Sequence, residues 1–241
     1  MTLPPWITAR PIAHRGLFDA SRGIPENSLA AVRAAIEAGY AMEIDIRAIA
    51  GGVAVFHDTD SKRMTGQDGA LARMSAAELK RLRLAGTGEP IPLLEDVLAL
   101  VRGRVPVMLE IKNEARAGQL EAAVLKQLSG YKGEIAIVSF NPFSLAFIAA
   151  RAPHIPRGQT ACRFRDSSLP LWRRVLQQNF LLNIVSRPHF LLYDLDALPH
   201  WAVSWRRSLG AKVVVYTVRN EADAAKARAV ADNFIFEGLR P

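Results

Sequence analysis

Short apolar runs along the chain alternate with longer segments in which apolar residues recur every three or four positions. The short runs are typical of buried strands, and the longer segments are typical of helices with one apolar face. The runs predict strands over 11–16, 41–47, 105–112, 135–140, 157–161, 190–193, 212–218 and 234–236. Strands that alternate with helices in this way indicate a parallel sheet with crossover helices.

One further β-like run, 53–58, does not fit this alternation. Only five residues, 48–52, separate it from the preceding strand, and a parallel crossover needs about a dozen or more. The Gly51-Gly52 pair is typical of a hairpin turn, so we expect the run to pair antiparallel with the second strand. It opens an insertion at approximately 48–92, in which a capping box at 75–78 predicts a short helix through Leu84.

With this run set aside, the predicted strands number eight. Eight parallel strands with intervening helices form a closed (β/α)8 TIM barrel, and 241 residues is a usual length for such a domain. An open doubly wound sheet is the alternative, but no glycine-rich phosphate loop follows the first strand. We therefore expect an α/β protein in which residues 1–241 form a single barrel domain with a small insertion after the second strand.

Charged residues stand where the predicted strands end, and that end of a barrel carries the active site. They are His14, Arg15, Glu43, Asp45, Glu110 and Lys112, and His57 lies at the end of the antiparallel run. Buried carboxylates are costly unless they are paired or bind a metal. Structural ion pairs are one interpretation, but a bridge between Glu43 and Lys112 would leave Asp45 and Glu110 without partners. One hard divalent cation, Mg²⁺ or Ca²⁺, would serve all three carboxylates, and we favour this interpretation.

The remaining groups at this rim suit a phosphodiester substrate. Arg15 and Lys112 would face the same point as the cation, and a guanidinium with an ammonium binds an anion that gains negative charge. His14 and His57 would transfer protons, since a histidine can act as base or acid at neutral pH. The other histidines are interpreted as structural: His154, His189 and His200.

Ordered motifs from about residue 12 to residue 140 resemble those of the glycerophosphodiester phosphodiesterase family, in its short, bacterial, cytoplasmic type. The motifs are His14-Arg15-Gly16, Pro25-Glu26-Asn27-Ser28, Glu43-Ile44-Asp45, His57-Asp58, Arg63-Met64-Thr65-Gly66, Ile91-Pro92-Leu93, Glu110-Ile111-Lys112 and Ser139-Phe140. The resemblance implies a barrel with a small insertion after the second strand, which agrees with the elements predicted above.

The resemblance also implies a chemistry, the release of sn-glycerol 3-phosphate and an alcohol from a glycerophosphodiester. It implies that a divalent cation binds to Glu43, Asp45 and Glu110, and that His14 and His57 are the acid and base pair. It further implies that Arg15 and Lys112 hold the phosphate, and that Glu26 orients Arg15 or the glycerol end. It leaves open whether water or a glycerol hydroxyl attacks phosphorus first.

The C-terminal part departs from the family pattern at two places. Tyr216 stands where the family often has a tryptophan, and Phe236-Glu237 stands where a Thr-Asp pair is usual. Both places are near the expected pocket for the glycerol or the alcohol, so the alcohol group is not predicted. Phe140 and Tyr216 are candidates to stack on the glycerol, although aromatic residues at strand ends are more often part of the core.

The charge is uneven along the chain, whose net charge is +8. Residues 1–120 carry a net +1 and residues 121–241 a net +7, and seven arginines fall between Arg151 and Arg187. This excess, with interleaved aromatic residues, suggests an alternative substrate class of lysophospholipids or other lipid phosphodiesters, with a helix over 169–182 on an anionic bilayer. We favour an ordinary barrel helix with Trp172, Val175 and Leu176 facing inward and no membrane contact. No nucleic-acid-binding motif is present, so nucleic acid is not an expected partner.

The compartment is predicted from what the sequence lacks. No apolar run reaches about 18 residues, and the N-terminal segment does not have the pattern of a signal peptide. Cys162 is the single cysteine, so no disulfide can form within the chain. We therefore expect a cytoplasmic protein.

Overall fold

The strands of the computed structural model, which describes residues 2–164 and 169–241, form one sheet that closes on itself. They are β1 (Ile12–Ala13), β2 (Met42–Ile49), β3 (Gly52–Val55), β4 (Val107–Ile111), β5 (Ile135–Ser139), β6 (Arg157–Ala161), β7 (Phe190–Asp194), β8 (Lys212–Val218) and β9 (Asn233–Phe236). All of them except β3 pair in parallel in chain order, and β1 pairs with both β2 and β9. The predicted (β/α)8 barrel is confirmed.

Helices connect the strands around the outside of the barrel, except for α1, which precedes the first strand and adds Ile7 to the cluster at the lower end of the interior. In the described residues they are α1 (Trp6–Ala9), α2 (Leu29–Ala38), α3 (Lys62–Thr65), α4 (Ala76–Leu79), α5 (Leu94–Val101), α6 (Gln119–Leu128), α7 (Pro142–Arg151), α8 (Leu171–Gln178), α9 (Asn183–Ser186), α10 (Trp201–Ser208) and α11 (Glu221–Val230). Local capping determines where several of them begin. Ser28 accepts a hydrogen bond from the amide of Ala31, and Asn141 accepts one from Phe143 with Pro142 at the first helical position.

The insertion after the second strand begins as predicted. β3 pairs antiparallel with the outer half of β2, with Ile46 opposite Val55, so the chain turns back toward the barrel. The capping box at Ser75 and Glu78 is present, but its helix ends at Leu79 and a 3₁₀ turn over Leu84–Gly86 follows, so the prediction through Leu84 was too long. The insertion has its own apolar cluster, which includes Phe56.

The barrel interior has an apolar lower layer and a polar upper layer. The lower layer includes Ile12, Ala41, Met108, Val214 and Ile235, all buried in one cluster. Alternate residues of a strand share a face, so the next interior position on each of these strands lies one layer higher. Those upper positions are His14, Glu43, Glu110, Tyr216 and Glu237. The alternation therefore collects polar groups at the carboxyl end of the barrel.

The segment predicted as an inward-facing helix over 169–182 differs from the prediction. Its helix is α8, and Trp172 and Val175 are 59% and 39% exposed, whereas Leu176 is half-buried. The barrel is covered at this point by Phe180, which is buried against Tyr193 with ring centroids 5.6 Å apart, and by α9, which packs on α7. The prediction that Trp172 and Val175 face inward was therefore wrong. Phe180 and α9, which follow α8, occupy the space against the barrel that α8 would have filled.

Two charged residues of the arginine-rich segment, Arg165 and Asp166, lie outside the described residues. Within the described residues, every helix is too short or too polar to cross a bilayer.

Candidate active site

A tight turn after β1 brings the backbone of Arg15 onto a buried carboxylate. The amide of Arg15 donates to Oε2 of Glu43 at 3.1 Å, and the amide of Gly16 donates to the Glu43 carbonyl at 3.0 Å. Gly16 has φ +76°, and a Cβ there would lie 2.9 Å from the backbone and side chain of Ala31. Only glycine allows this approach of the turn to α2.

Glu43, Asp45 and Glu110 meet on neighbouring strands. Parallel pairing places Asp45 opposite Glu110, and Glu43 precedes Asp45 on the same face of β2. One oxygen from each carboxylate lies within 4.8 Å of the other two, and all three residues are buried. Oε1 of Glu43 is buried and has no hydrogen-bond partner among the described residues. Three buried carboxylates in this arrangement could hold one divalent cation.

Two cationic side chains partly compensate this acidic cluster. Nζ of Lys112 lies 3.1 Å from Oδ1 of Asp45 and 2.8 Å from Oε1 of Glu110, and Nε of Arg15 lies 3.3 Å from Oδ2 of Asp45. Lys112 therefore pairs with Asp45 and Glu110 and not with Glu43. The ion pair between Glu43 and Lys112 considered from the sequence is not formed. Asn27 also donates to Oδ2 of Asp45 at 2.8 Å.

The pKa values of the two most deeply buried carboxylates, Glu43 and Asp45, shift in opposite directions. Burial, with Asp45 and Glu110 nearby, raises the pKa of Glu43 well above its usual range. Burial would also raise the pKa of Asp45, but the charges of Lys112 and Arg15 outweigh it and lower that pKa. Asp45 is therefore ionised at neutral pH, and Glu43 is the carboxylate with the most to gain from an added cation.

His57 belongs to the insertion and lies at the same rim of the barrel as the acidic cluster. The amide of Phe56 donates to the carbonyl of Asp45 at 2.9 Å, so the end of the antiparallel run lies beside β2. Nε of Arg47 donates to the His57 carbonyl at 2.6 Å, and Nδ1 of His57 lies 2.7 Å from Oδ1 of Asp58. Burial lowers the pKa of His57, although the nearby Asp45 opposes the shift. The ring is therefore neutral near pH 7, with its proton at Nδ1 toward Asp58 and Nε2 free to accept one.

The side chain of His14 contacts Glu237, which lies near the other end of the sequence. Its Nδ1 lies 2.7 Å from Oε2 of Glu237, and its Nε2 lies 3.9 Å from Oε2 of Glu43. The hydrogen bond from His14 lowers the pKa of Glu237 to about 2, and Arg219, whose Nε is 2.7 Å from Oε1, adds to the effect. Glu237 is therefore a carboxylate at neutral pH, and it accepts the Nδ1 proton of His14, which leaves Nε2 for the site.

Glu26 links the rim to the insertion. Its Oε1 accepts from Nη1 of Arg15 at 2.7 Å and from Nη2 of Arg63 at 2.6 Å. Nε of Arg63 also donates to Oδ2 of Asp58 at 2.6 Å, so one chain of ion pairs runs from Arg15 to the partner of His57. The network fixes the relative positions of the Arg15 guanidinium and the His57 ring.

An aromatic wall stands next to Lys112. Phe140 lies edge to face with Tyr216 at 6.3 Å between ring centroids and with Phe164 at 5.9 Å, and Nζ of Lys112 is 5.8 Å from the centre of the Phe140 ring. The Tyr216 hydroxyl donates to the carbonyl of Ala161 at 2.9 Å. Tyr216 therefore presents its ring, rather than its hydroxyl, to the site.

The structure brings together all of the site residues chosen from the sequence, and it adds partners that the sequence did not indicate. The added residues are Asn27, Arg47, Asp58, Arg63 and Glu237. Three of these five, Asn27, Asp58 and Arg63, stand inside the motifs quoted above. Arg47 follows one of them by two positions, and Glu237 stands where the sequence departs from the family pattern. His189, interpreted as structural, accepts a hydrogen bond at Nδ1 from the amide of Arg157 at 3.0 Å, outside the site.

Fold and site together define a class, a (β/α)8 barrel with an acidic cluster and two carboxylate-paired histidines at the carboxyl ends of its strands. Residues 14–235 match the family described as the glycerophosphoryl diester phosphodiesterase family. The chain belongs to that family.

Relatives and solved structures agree with this assignment. A glycerophosphodiester phosphodiesterase of Caldanaerobacter subterraneus is 33% identical over 160 residues, which cover 61% of this chain and 64% of the relative. The mouse glycerophosphodiester phosphodiesterase 1 is 26% identical over 209 residues, which cover 82% of this chain and 55% of the relative. The chain thus spans less than two thirds of the length of these curated relatives.

Similarity to solved structures extends over nearly the whole chain. An Oleispira antarctica phosphodiesterase, solved in complex with the product sn-glycerol 3-phosphate, has a TM-score of 0.79 and 27% identity, and the match covers 95% of this chain and 93% of that one. A glycerophosphodiester phosphodiesterase of Thermotoga maritima has a TM-score of 0.71 and 25% identity, covering 93% and 92%.

Proposed function

We propose that this chain hydrolyses glycerophosphodiesters to sn-glycerol 3-phosphate and an alcohol. The observation that carries the proposal is the cluster of Glu43, Asp45 and Glu110, which lies beside two cationic side chains and two carboxylate-paired histidines. This set offers an anion site and proton transfer at one point. The product bound to the Oleispira antarctica relative supports the same substrate class.

The three carboxylates fit one hard divalent cation, Mg²⁺ or Ca²⁺. They supply only oxygen donors, which these cations prefer, and Oε1 of Glu43 is a buried acceptor without a partner among the described residues. The cation, when bound, would polarise a phosphoryl oxygen and offset negative charge that develops there. Glu43, Asp45 and Glu110 would hold it.

Lys112 and Arg15 bind the phosphate in this proposal. Both are fixed by carboxylates rather than free in solution, so their charges are preorganised toward the barrel mouth. Glu26 orients the Arg15 guanidinium, because it accepts a hydrogen bond from Nη1 while Arg63 holds it from the other side.

The two histidines divide the proton transfers. His57 is the base: its neutral ring takes the proton of the attacking hydroxyl, of water or of the glycerol itself, as the new P–O bond forms. His14 is the acid: it gives a proton to the oxygen of the leaving alcohol as the old P–O bond breaks. Attack by water gives sn-glycerol 3-phosphate directly; attack by the glycerol hydroxyl gives a cyclic phosphate, which water then opens as His14 takes the proton of the water and His57 returns its proton to the glycerol oxygen. Asp58 and Glu237 hold the two rings by Nδ1, which leaves each Nε2 for the substrate. Phe140 and Tyr216 contact the glycerol carbons.

The proposal is tested by product release from purified protein. Glycerophosphocholine, glycerophosphoethanolamine and a lysophospholipid are offered separately with Mg²⁺, with Ca²⁺ and with EDTA, and sn-glycerol 3-phosphate and free alcohol are measured. We expect release from the small diesters that EDTA abolishes. Turnover of the lysophospholipid alone would replace the proposed substrate class by lipid phosphodiesters. An absence of turnover with all three would contradict the proposal.

A further inference from the structure

One side of the barrel exposes apolar side chains that the proposed catalysis does not use. We call it the α8–α10 face, and it is defined by Leu171, Trp172, Val175, Leu181, Ile184, Trp201, Trp205 and Leu209. These side chains are between 39% and 81% exposed, and three of the four tryptophans of the chain are among them. Among the described residues, Phe143 is the one other large apolar side chain that is similarly exposed. Such a concentration marks an interaction surface.

The face is continuous from α8 to α10. The two helices follow β6 and β7, which are neighbours in the barrel. Nη2 of Arg206 on α10 donates to the carbonyl of Phe180, just after α8, at 2.9 Å. A groove of about 390 Å³ lies at the amino ends of β7 and β8, and Leu181, Ile184 and Arg206 are part of its lining. Apolar groups from both sides therefore open onto one surface.

The face runs along the side of the barrel, from the catalytic end to the amino ends of the strands. In a barrel, each outer helix begins at the end where the preceding strand finishes, so Trp172 and Trp201 in the first turns of α8 and α10 are near the rim. Trp201 stacks on His200 with centroids 6.2 Å apart, and His200 lies 5.3 Å from Tyr193 in β7. Trp205 and Leu209 continue this stripe along α10 at intervals of four residues.

The charge on the elements that carry the face is mainly positive, although Asp194 and Asp196 lie between them and Arg207 lies 3.9 Å from Asp232. Residues 169–193 and 200–211 contain five arginines and no aspartate or glutamate. The guanidinium of Arg173 lies 5.1 Å from the ring of Trp172, and that of Arg206 lies 5.3 Å from the ring of Trp205. Arg173 makes no ion pair with any described residue, so its charge is available to an anionic partner.

We propose that the α8–α10 face docks onto an anionic lipid surface. Tryptophan and leucine enter the boundary between headgroups and acyl chains, while arginines at the edge contact lipid phosphates. A second copy of this chain fits less well, because a two-fold contact sets the same patch against itself and would oppose arginines to arginines. Docking would lay this side of the barrel against a bilayer, with Trp172 and Trp201 at the end of the contact nearer the rim. It goes beyond the proposed hydrolysis and does not depend on it.

The test is binding of the full chain to vesicles in low salt. Vesicles of phosphatidylglycerol with phosphatidylcholine are compared with pure phosphatidylcholine by sedimentation and by the shift of tryptophan fluorescence. The variants are Trp172→Ser with Trp201→Ser, and Arg173→Glu. The matched control is Arg33→Glu, an equal charge change on an exposed residue of α2, which lies between β1 and β2 across the barrel from α8. Sedimentation velocity without lipid reports self-association.

We expect salt-sensitive binding to the anionic vesicles with a blue shift. The tryptophan double variant and Arg173→Glu should weaken it by about tenfold or more, while Arg33→Glu binds as the wild type does. All variants should keep the melting temperature and the rate on a small diester in solution. No binding by the wild type would overturn the proposal, and so would equal weakening by Arg33→Glu. A wild-type dimer that the tryptophan variant dissociates, without vesicle binding, would assign the face to a second copy instead.

Discussion

Nδ1 of His14 lies 2.7 Å from Oε2 of Glu237, across the seam where β1 meets β9 and the barrel closes. The contact joins residues 223 positions apart. The closure of the fold thus also sets the orientation of a proposed catalytic ring, because a carboxylate at Nδ1 directs Nε2 into the barrel mouth.

Glu237→Gln should slow turnover while leaving the fold intact. The amide keeps the shape but removes the carboxylate that accepts the Nδ1 proton of His14, so the ring loses its orientation and we expect kcat to fall by roughly 10–100-fold. Glu237→Asp is the matched control and should keep more of the rate. A kcat of Glu237→Gln equal to that of the wild type would remove Glu237 from the positioning of His14.

Asp58→Asn should disturb His57 in a way that pH profiles can resolve. The hydrogen bond from His57 to Asp58 raises the pKa of the ring against the larger lowering by burial, so its loss lowers that pKa further. The acid limb of kcat/KM should therefore move to lower pH, while the rate falls by roughly 10–1,000-fold as the ring loses its orientation. Asp68→Asn, on an exposed residue of the same insertion, should change neither. An acid limb that stays in place would contradict the role of Asp58.

Glu43→Gln should abolish activity and yet stabilise the metal-free protein. Burial beside two other carboxylates makes the charged form of Glu43 costly, and the neutral amide avoids that cost. We expect the melting temperature in EDTA to rise by about 2–4 °C, the shift that about 1 kcal/mol gives in a domain of this size. Added Ca²⁺ or Mg²⁺ should raise the melting temperature of the wild type but not that of Glu43→Gln. Glu95→Gln, on an exposed position of α5, is the control. A metal-free variant less stable than the wild type would contradict this account of the cluster.

Gly16→Ala should destabilise the protein more than Gly23→Ala does. Both glycines have positive φ, at +76° and +69°, but only a Cβ at Gly16 would overlap Ala31, since nothing lies within 4 Å of one at Gly23. We expect the free energy of unfolding, measured by urea denaturation, to fall by about 2–4 kcal/mol in Gly16→Ala and by about 1 kcal/mol in Gly23→Ala. Equal losses would mean that the turn does not rest on α2 as described.

Strand order and the acidic cluster could be predicted because each depends on local pattern. Apolar runs marked the strands, and alternation within a strand put Glu43 and Asp45 on one face. The Glu237 contact could not be predicted in this way, since its partner lies at the other end of the chain. The links from Glu26 to Arg63 and Asp58 depend on how the insertion folds back, which periodicity does not specify.

The error at α8 has a different physical origin. Spacing identified an apolar stripe through Trp172 and Val175, but a stripe shows only that one side of a helix is apolar and not what that side faces. Phe180 and α9 cover the barrel at that point, and no feature of the helix itself signals this.

The most direct test of the central claim is a calorimetric titration of metal-free protein with Mg²⁺ and with Ca²⁺, run beside the hydrolysis rate on the same sample. We expect one ion bound per chain, a hydrolysis rate that rises in parallel with occupancy, and loss of both ion binding and hydrolysis in Glu43→Gln. Full turnover of a glycerophosphodiester by the metal-free protein, or unchanged ion binding in Glu43→Gln, would contradict the central claim.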